Sequence, residues 1–270
     1  MNETINQYHH FIRLLAFLAE QKIATGFQIE KYCFNGLSRS FAWKAIKKLR
    51  QSRLIDPLII LSPNSRPFSA YQLTNDGFKE LKLQTGIDLE EIQIKSNSPQ
   101  HDIALTDLRL LFSRIQECQY FISENVIRSK LLPDENNELA VFRSCRSDSA
   151  VRMTINKKDV WLALEYERSR KSLDRYVQRI KNWYQREDLP GILVATEDEP
   201  LAELMAKIDA KTIPQLPRKV LFFPKSRLHS ATTEVKFINS QKEPLTFSLG
   251  KQRPQQYPIL DQSFAKRDFI

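Results

Sequence analysis

Hydrophobic and polar positions follow two different periods along this chain, and the points where the period changes divide it. From Tyr8 to Glu20 apolar residues recur at helical spacing, with Phe11, Leu14, Leu15 and Leu18 on one side. Thr25 stands where a cap should open a second helix, which runs to Phe34 and stops near Asn35-Gly36. Ser38 caps a third, SRSFAWKAIKKLRQSRLI, whose apolar side is Phe41, Ala45, Ile46 and Leu49. Two strands follow, Leu58–Leu61 and Phe68–Leu73, around a Pro-Asn-Ser-Arg-Pro tip. Thr74-Asn75-Asp76-Gly77 then caps a last helix through Leu83.

The later pattern mixes both periods. A helix is predicted from Gln100 to Gln116, a strand from Tyr120 to Ile127 and a polar loop over 133–139. Ala150–Ile155 and Val160–Tyr166 pattern as two strands of a hairpin. A helix from Ser172 to about Gln185 follows, then a strand over Gly191–Thr196, a helix over Glu199–Asp209 and a strand over Lys219–Phe223. Weaker strand signals sit at Glu234–Ile238 and Leu245–Leu249, before a Gln/Pro-rich tail. The expected fold class is therefore α/β (α+β), with a winged helix over residues 1–85, a linker over 86–99 and a mixed-sheet domain over 100–270.

Charge sharpens both halves. The chain carries a formal net charge of +9, which favours a polyanionic partner. In the third helix Arg39, Lys44, Lys47, Lys48 and Arg50 occupy the polar side, with no acid until Asp56. A helix-turn-helix lays this element in the major groove of duplex DNA. Lys44, Lys47, Lys48 and Arg53 are then expected on phosphates, Ser38, Arg39, Ser40 and Lys44 near base edges, and Arg66 at the wing tip on the flanking backbone. The same helix also suits a protein-binding or dimerisation surface.

The hairpin supplies candidate chemistry. With Lys157 and Lys158 as its loop, Asn156 faces Asp159, and Asp148 comes opposite Glu167. Alternation puts Trp161, Ala163, Glu165 and Glu167 on one face. Asp148, Glu165 and Glu167 then converge as oxygen ligands for Mg²⁺ or Mn²⁺, which activates water and stabilises charge on a phosphate. Arg168, Arg170, Lys171, Arg175, Arg179 and Lys181 follow at once, and Arg168, Arg175 and Arg179 are expected along a DNA backbone. A solvated acidic face on an amphipathic hairpin gives the same pattern. Cys33, Cys118 and Cys145 are odd in number and dispersed, as suits a reducing cytoplasm, and no apolar run is long enough to span a bilayer.

The order of elements resembles the PD-(D/E)xK nuclease superfamily, the restriction-endonuclease-like fold, over about Gln100 to Pro224, with its motifs in SDSAV and ALEYE. Asp148 and Glu165 match the first two acids. Glu167 stands where a lysine is usual, Lys171 becomes its replacement, and Ser147 replaces the customary proline. A narrower resemblance spans Ile12 to Tyr184, through QHDIALTDLRLLF, YFISENVIRSK and ALEYERSRKSLDRY. It is to the replication-relaxation family and the related MobC-type plasmid mobilisation relaxases. That resemblance implies site-specific nicking of plasmid-origin duplex DNA, accessory mobilisation proteins as partners, and His101 and Glu124 as further catalytic candidates. The competing expectation is a winged-helix regulator or replication accessory protein without catalysis.

Overall fold

The computed structural model describes residues 2–62, 65–86, 92–129, 139–227 and 233–252, together with Leu260. The hairpin-tip residues Pro63-Asn64, the acids Asp88, Glu90 and Glu91 of the expected linker, most of the 133–139 loop and the Gln/Pro-rich tail lie outside the described residues. No helix among the described residues is long and apolar enough to cross a membrane. The described chain is mixed α/β and falls into two units, 2–110 with 123–129 and Leu260, and 111–122 with 139–252.

The first unit is built from α1 (Asn2–Gln21), β1 (Ala24–Thr25), α2 (Gly26–Cys33), α3 (Arg39–Gln51), β2 (Ile55–Ser62), β3 (Ser65–Leu73), α4 (Asn75–Thr85) and most of α5 (Pro99–Phe112). The two-residue strand β1 was not expected from the sequence. It pairs with β3, so the small sheet runs β1-β3-β2, all antiparallel. Capping explains the helix starts. The Thr25 hydroxyl accepts from Gln28 N at 3.1 Å while the Gln28 side chain accepts from Thr25 N at 2.9 Å, a reciprocal capping box. Ser38 and Thr74 accept from the third backbone N–H of α3 and α4 in the same way. Leu14, Phe17, Leu18, Ile29, Ile46, Leu49 and Leu73 are buried in this unit.

Its interior also holds ions. Arg109 is 1% exposed, meets Glu20 at 2.5 Å and donates to Tyr32 Oη at 2.7 Å, with its guanidinium over the rings of Tyr32 and Phe17. Glu124 was expected within a strand. That strand stops at Ser123, and Glu124 opens the short helix α6 (Glu124–Arg128), paired with Lys22 at 2.6 Å and Arg128 at 2.5 Å.

The second unit contains most of β4 (Cys118–Ser123), then α7 (Ala140–Cys145), β5 (Ser149–Ile155), β6 (Lys158–Glu167), α8 (Leu173–Tyr184), β7 (Ile192–Thr196), α9 (Glu199–Thr212), β8 (Val220–Pro224), β9 (Glu234–Asn239) and β10 (Pro244–Ser248). Its sheet has the order β10-β9-β8-β7-β6-β5-β4. Strands β6, β7 and β8 are parallel, while β5 and β9 run against their neighbours. Helices α8 and α9 connect the parallel strands and pack side by side. On the opposite face Phe112, Phe121, Phe223, Phe237 and Phe247 form a run of ring contacts. The glutamates of β6 therefore sit at the carboxyl ends of parallel strands, the edge at which open α/β sheets bind ligands.

The hairpin register differs from the expected one. Ile155 pairs with Lys158 and Ser149 with Leu164, so the turn is Asn156-Lys157, both at positive φ. Such a two-residue turn matches the strand twist, and asparagine tolerates the left-handed region. Relative to the expected register the strands are offset by two residues. The faces are unchanged because the strand period is two, but the residue before β5, Asp148, lines up with Glu165 instead of Glu167.

Candidate functional site

The carboxylate cluster is assembled from the ends of β5 and β6. Asp148 Oδ2 accepts from Tyr166 N at 2.8 Å, which ties the entry to β5 against β6. Glu165 and Glu167 are each 2% exposed and face α8. Arg179 of α8 bridges them, with Nη2 on Glu165 and Nη1 on Glu167 at 3.2 Å. Lys171 Nζ lies 2.7 and 2.8 Å from the two oxygens of Glu167. The segment that carries Lys171 is held in place by Tyr176, whose hydroxyl accepts from Lys171 N at 3.0 Å and donates to Ser169 O at 3.2 Å.

Asp148, Glu165, Glu167 and Lys171 are thus brought together. Arg179 joins them as the counter-ion of Glu165 and Glu167. The basic residues Arg168, Arg170 and Lys171 precede α8 in irregular chain, and the first turn of the helix carries Asp174. An acid, rather than these bases, thus stands at the helix start, as the helix dipole favours. Arg168 and Arg175 are exposed.

The electrostatics follow from crowding. Burial and the neighbouring Asp148 push the Glu165 carboxyl up to about 8, against the opposing pull of Arg179 and a hydrogen bond from Ser147. Ser147 therefore engages an acid of the cluster from the position where the resembling family has proline. Burial works against the Arg179 charge, yet Glu165, Asp148 and Glu167 hold its pKa above the usual value.

Among the described residues no three His, Cys, Asp or Glu side chains stand close enough to hold a metal as placed. Asp148 and Glu165 suit a hard cation, since both offer carboxylate oxygen and their mutual repulsion would be relieved by one. Glu167 does not fit in the same way, because Lys171 and Arg179 already hold it.

On the opposite face of β6 lies a group that sequence reasoning missed. The Tyr166 hydroxyl donates to Glu197, just beyond β7, and Lys225, just beyond β8, lies 5.8 Å from the Tyr166 ring centre. A polar residue directly after each apolar strand was the available signal.

His101 and Glu124 belong to the first unit and are not members of the cluster. His101 Nδ1 is 3.5 Å from Asp102 Oδ1 at the start of α5, and Glu124 is held by the two ion pairs described above.

The basic helix α3 presents Arg39, Ser40, Lys44, Lys47, Lys48 and Arg50 to solvent, and Arg66 is exposed on β3. Arg39 leans to Glu30 at 3.5 Å, and Lys48 lies 5.0 Å from the centre of the Phe11 ring. Ser38 is exposed but its hydroxyl caps α3, so its side chain is committed to the helix. Trp43, overlooked in the sequence, is 40% exposed on the same helix. Its ring rests on Gly26, where an added Cβ would come within 2.6 Å of it.

No family model matches this chain, and searches of curated proteins and of solved structures likewise find no match.

Proposed function

We propose that this protein binds duplex DNA through a winged-helix first unit and nicks it with a metal-dependent, restriction-endonuclease-like second unit. The observation that carries the reading is the carboxylate cluster at the carboxyl end of β6, where Asp148 aligns with Glu165 beside Lys171. The run β5, β6, α8, β7, with Glu165 and Glu167 on β6, supports the same fold assignment. Asp148 and Glu165 would hold Mg²⁺ or Mn²⁺, and that ion when bound supplies a lowered water pKa and stabilisation of phosphoryl charge. Lys171 and Arg179 offer positive charge to the phosphodiester, and the exposed Arg168 and Arg175 extend it along the strand. Lys44, Lys47, Arg50 and Arg66 supply phosphate contacts for the first unit. By resemblance to the replication-relaxation family, the natural substrate is a plasmid origin.

A supercoiled plasmid carrying the cognate origin should become open-circular when Mg²⁺ or Mn²⁺ is added. Asp148→Ala and Glu165→Ala should each abolish this. Nicking by both variants at the parental rate would refute the site.

One observation favours a second reading, a DNA-binding regulator without catalysis: Glu167 replaces the usual lysine, and both glutamates of β6 are already ion-paired. Such a protein binds DNA equally well in chelator and does not cleave it, whichever metal is added.

A further inference from the structure

We propose that Arg179 is a built-in competitor of the divalent ion: its guanidinium must leave Glu165 before a metal binds there, and it is poised to move onto the phosphodiester. This deepens the nuclease reading and rests on it.

The argument begins with redundancy. Glu167 has two cationic partners, Lys171 and Arg179. Glu165 has Arg179 as its ion-pair partner among the described residues. Moving Arg179 therefore leaves Glu167 neutralised and strips Glu165 alone. Glu165 is the acid aligned with Asp148, so the position Arg179 holds is beside the two carboxylates that suit a hard ion.

Exposure also differs. The glutamates are 3% exposed in their side chains, whereas the Arg179 side chain is 31% exposed, so the arginine reaches solvent where its partners do not. Its guanidinium also lies 5.0 Å from the ring centre of Trp183, one turn on in α8. An aromatic face beside the ion pair gives the cation a second favourable surface along its route.

The charges fit the exchange. Asp148, Glu165 and Glu167 against Lys171 and Arg179 leave a formal net charge of −1. A divalent ion brings the cluster to about +1, which a single phosphodiester charge neutralises. A released arginine and a bound phosphate thus satisfy one another, with bidentate geometry that lysine does not offer.

The test is Mn²⁺ binding to the full-length protein, followed by calorimetry without DNA. Arg179→Gln should bind Mn²⁺ about tenfold or more tightly than the parent, because a competing positive charge is gone. Arg179→Lys keeps the charge and should stay close to the parent. Circular dichroism confirms that each variant is folded. A second measurement needs no change at position 179: Mg²⁺ should alter the tryptophan emission of the parent as the cation leaves Trp183, and Trp183→Phe should remove that change. If the parent binds Mn²⁺ but a folded Arg179→Gln binds it no more tightly, the inference fails alone. Mg²⁺ binding without any change in Trp183 emission also overturns it. If neither protein binds Mn²⁺, the metal-site reading fails and takes the inference with it.

Discussion

The proposed duplex contact makes a quantitative prediction about salt. Phosphate contacts release condensed counterions, so the logarithm of the binding constant falls linearly with the logarithm of salt concentration, by about 0.9 per phosphate neutralised. Lys44, Lys47, Arg50 and Arg66 are exposed, and no ion pair engages them among the described residues. If these four act, the slope is about −3.6, and affinity falls roughly 150-fold between about 50 and 200 mM salt. If Arg39 releases Glu30 and Lys48 leaves Phe11, six cations act and the slope steepens to about −5.4.

Fluorescence anisotropy of a labelled duplex, titrated at several salt concentrations, measures this directly. Lys47→Ala should lower affinity evenly across DNA sequences and make the slope shallower by about 0.9. Trp43→Ala removes no charge, so it should leave the slope unchanged while altering preference among duplexes. A parental slope shallower than about −1, or one that Lys47→Ala and Lys44→Ala do not move, would refute the assignment of α3 to DNA.

Other consequences follow from buried groups. Glu165 has its pKa raised on folding, from the ordinary 4.5 to about 8. Its contribution to stability is complete below the lower value and is lost as pH rises through the upper one, so thermal stability of the second unit should fall across that window, and Glu165→Gln should flatten the fall. Gly77 lies so close to Leu54 that a Cβ there would sit 1.9 Å from the Leu54 carbonyl oxygen. Gly77→Ala should therefore destabilise the first unit by about 2–4 kcal/mol in urea unfolding, and wild-type stability would show that the α4 contact is not rigid. Arg109→Met removes the guanidinium that meets buried Glu20 and should cost about 3–5 kcal/mol, most of which the double variant with Glu20→Met should restore. Equal losses in the single and double variants would argue that packing, not the ion pair, sets the effect.

Local signals carried the first unit well. Thr25, Ser38 and Thr74 cap the helices that their positions predict, since each needs only its own hydroxyl and a backbone N–H three residues on. The strand β1 left no such signal, because two residues, Ala24 and Thr25, are too few to show a period. Glu124 was misplaced because apolar residues flank Ser123-Glu124-Asn125 on both sides, while the helix start at Ser123 is marked by residue type alone, with no side-chain cap bond. The hairpin shows the limit more clearly. Asn156-Lys157-Lys158-Asp159 contains two usable two-residue turns, and the one adopted places both Asn156 and Lys157 at positive φ, a region that asparagine tolerates better than lysine.

That two-residue difference changes the chemistry without changing the face. It gives Asp148 to Glu165 and leaves Glu167 to Lys171, so the cluster divides into a carboxylate pair and an ion pair. Arg179 connects the two, and its role was legible from helix spacing. It stands three residues after Tyr176 and four before Trp183, both buried, which places it on the inward stripe of α8, whereas Arg175 lies outside that stripe and is exposed. An arginine on a buried stripe needs an anion close by. The inward row of β6 supplies two, at Glu165 and Glu167. Periodicity in the helix and alternation in the strand, taken together, were sufficient to pair them, and the pairing explains why acids this deeply buried can persist at the end of an otherwise apolar strand.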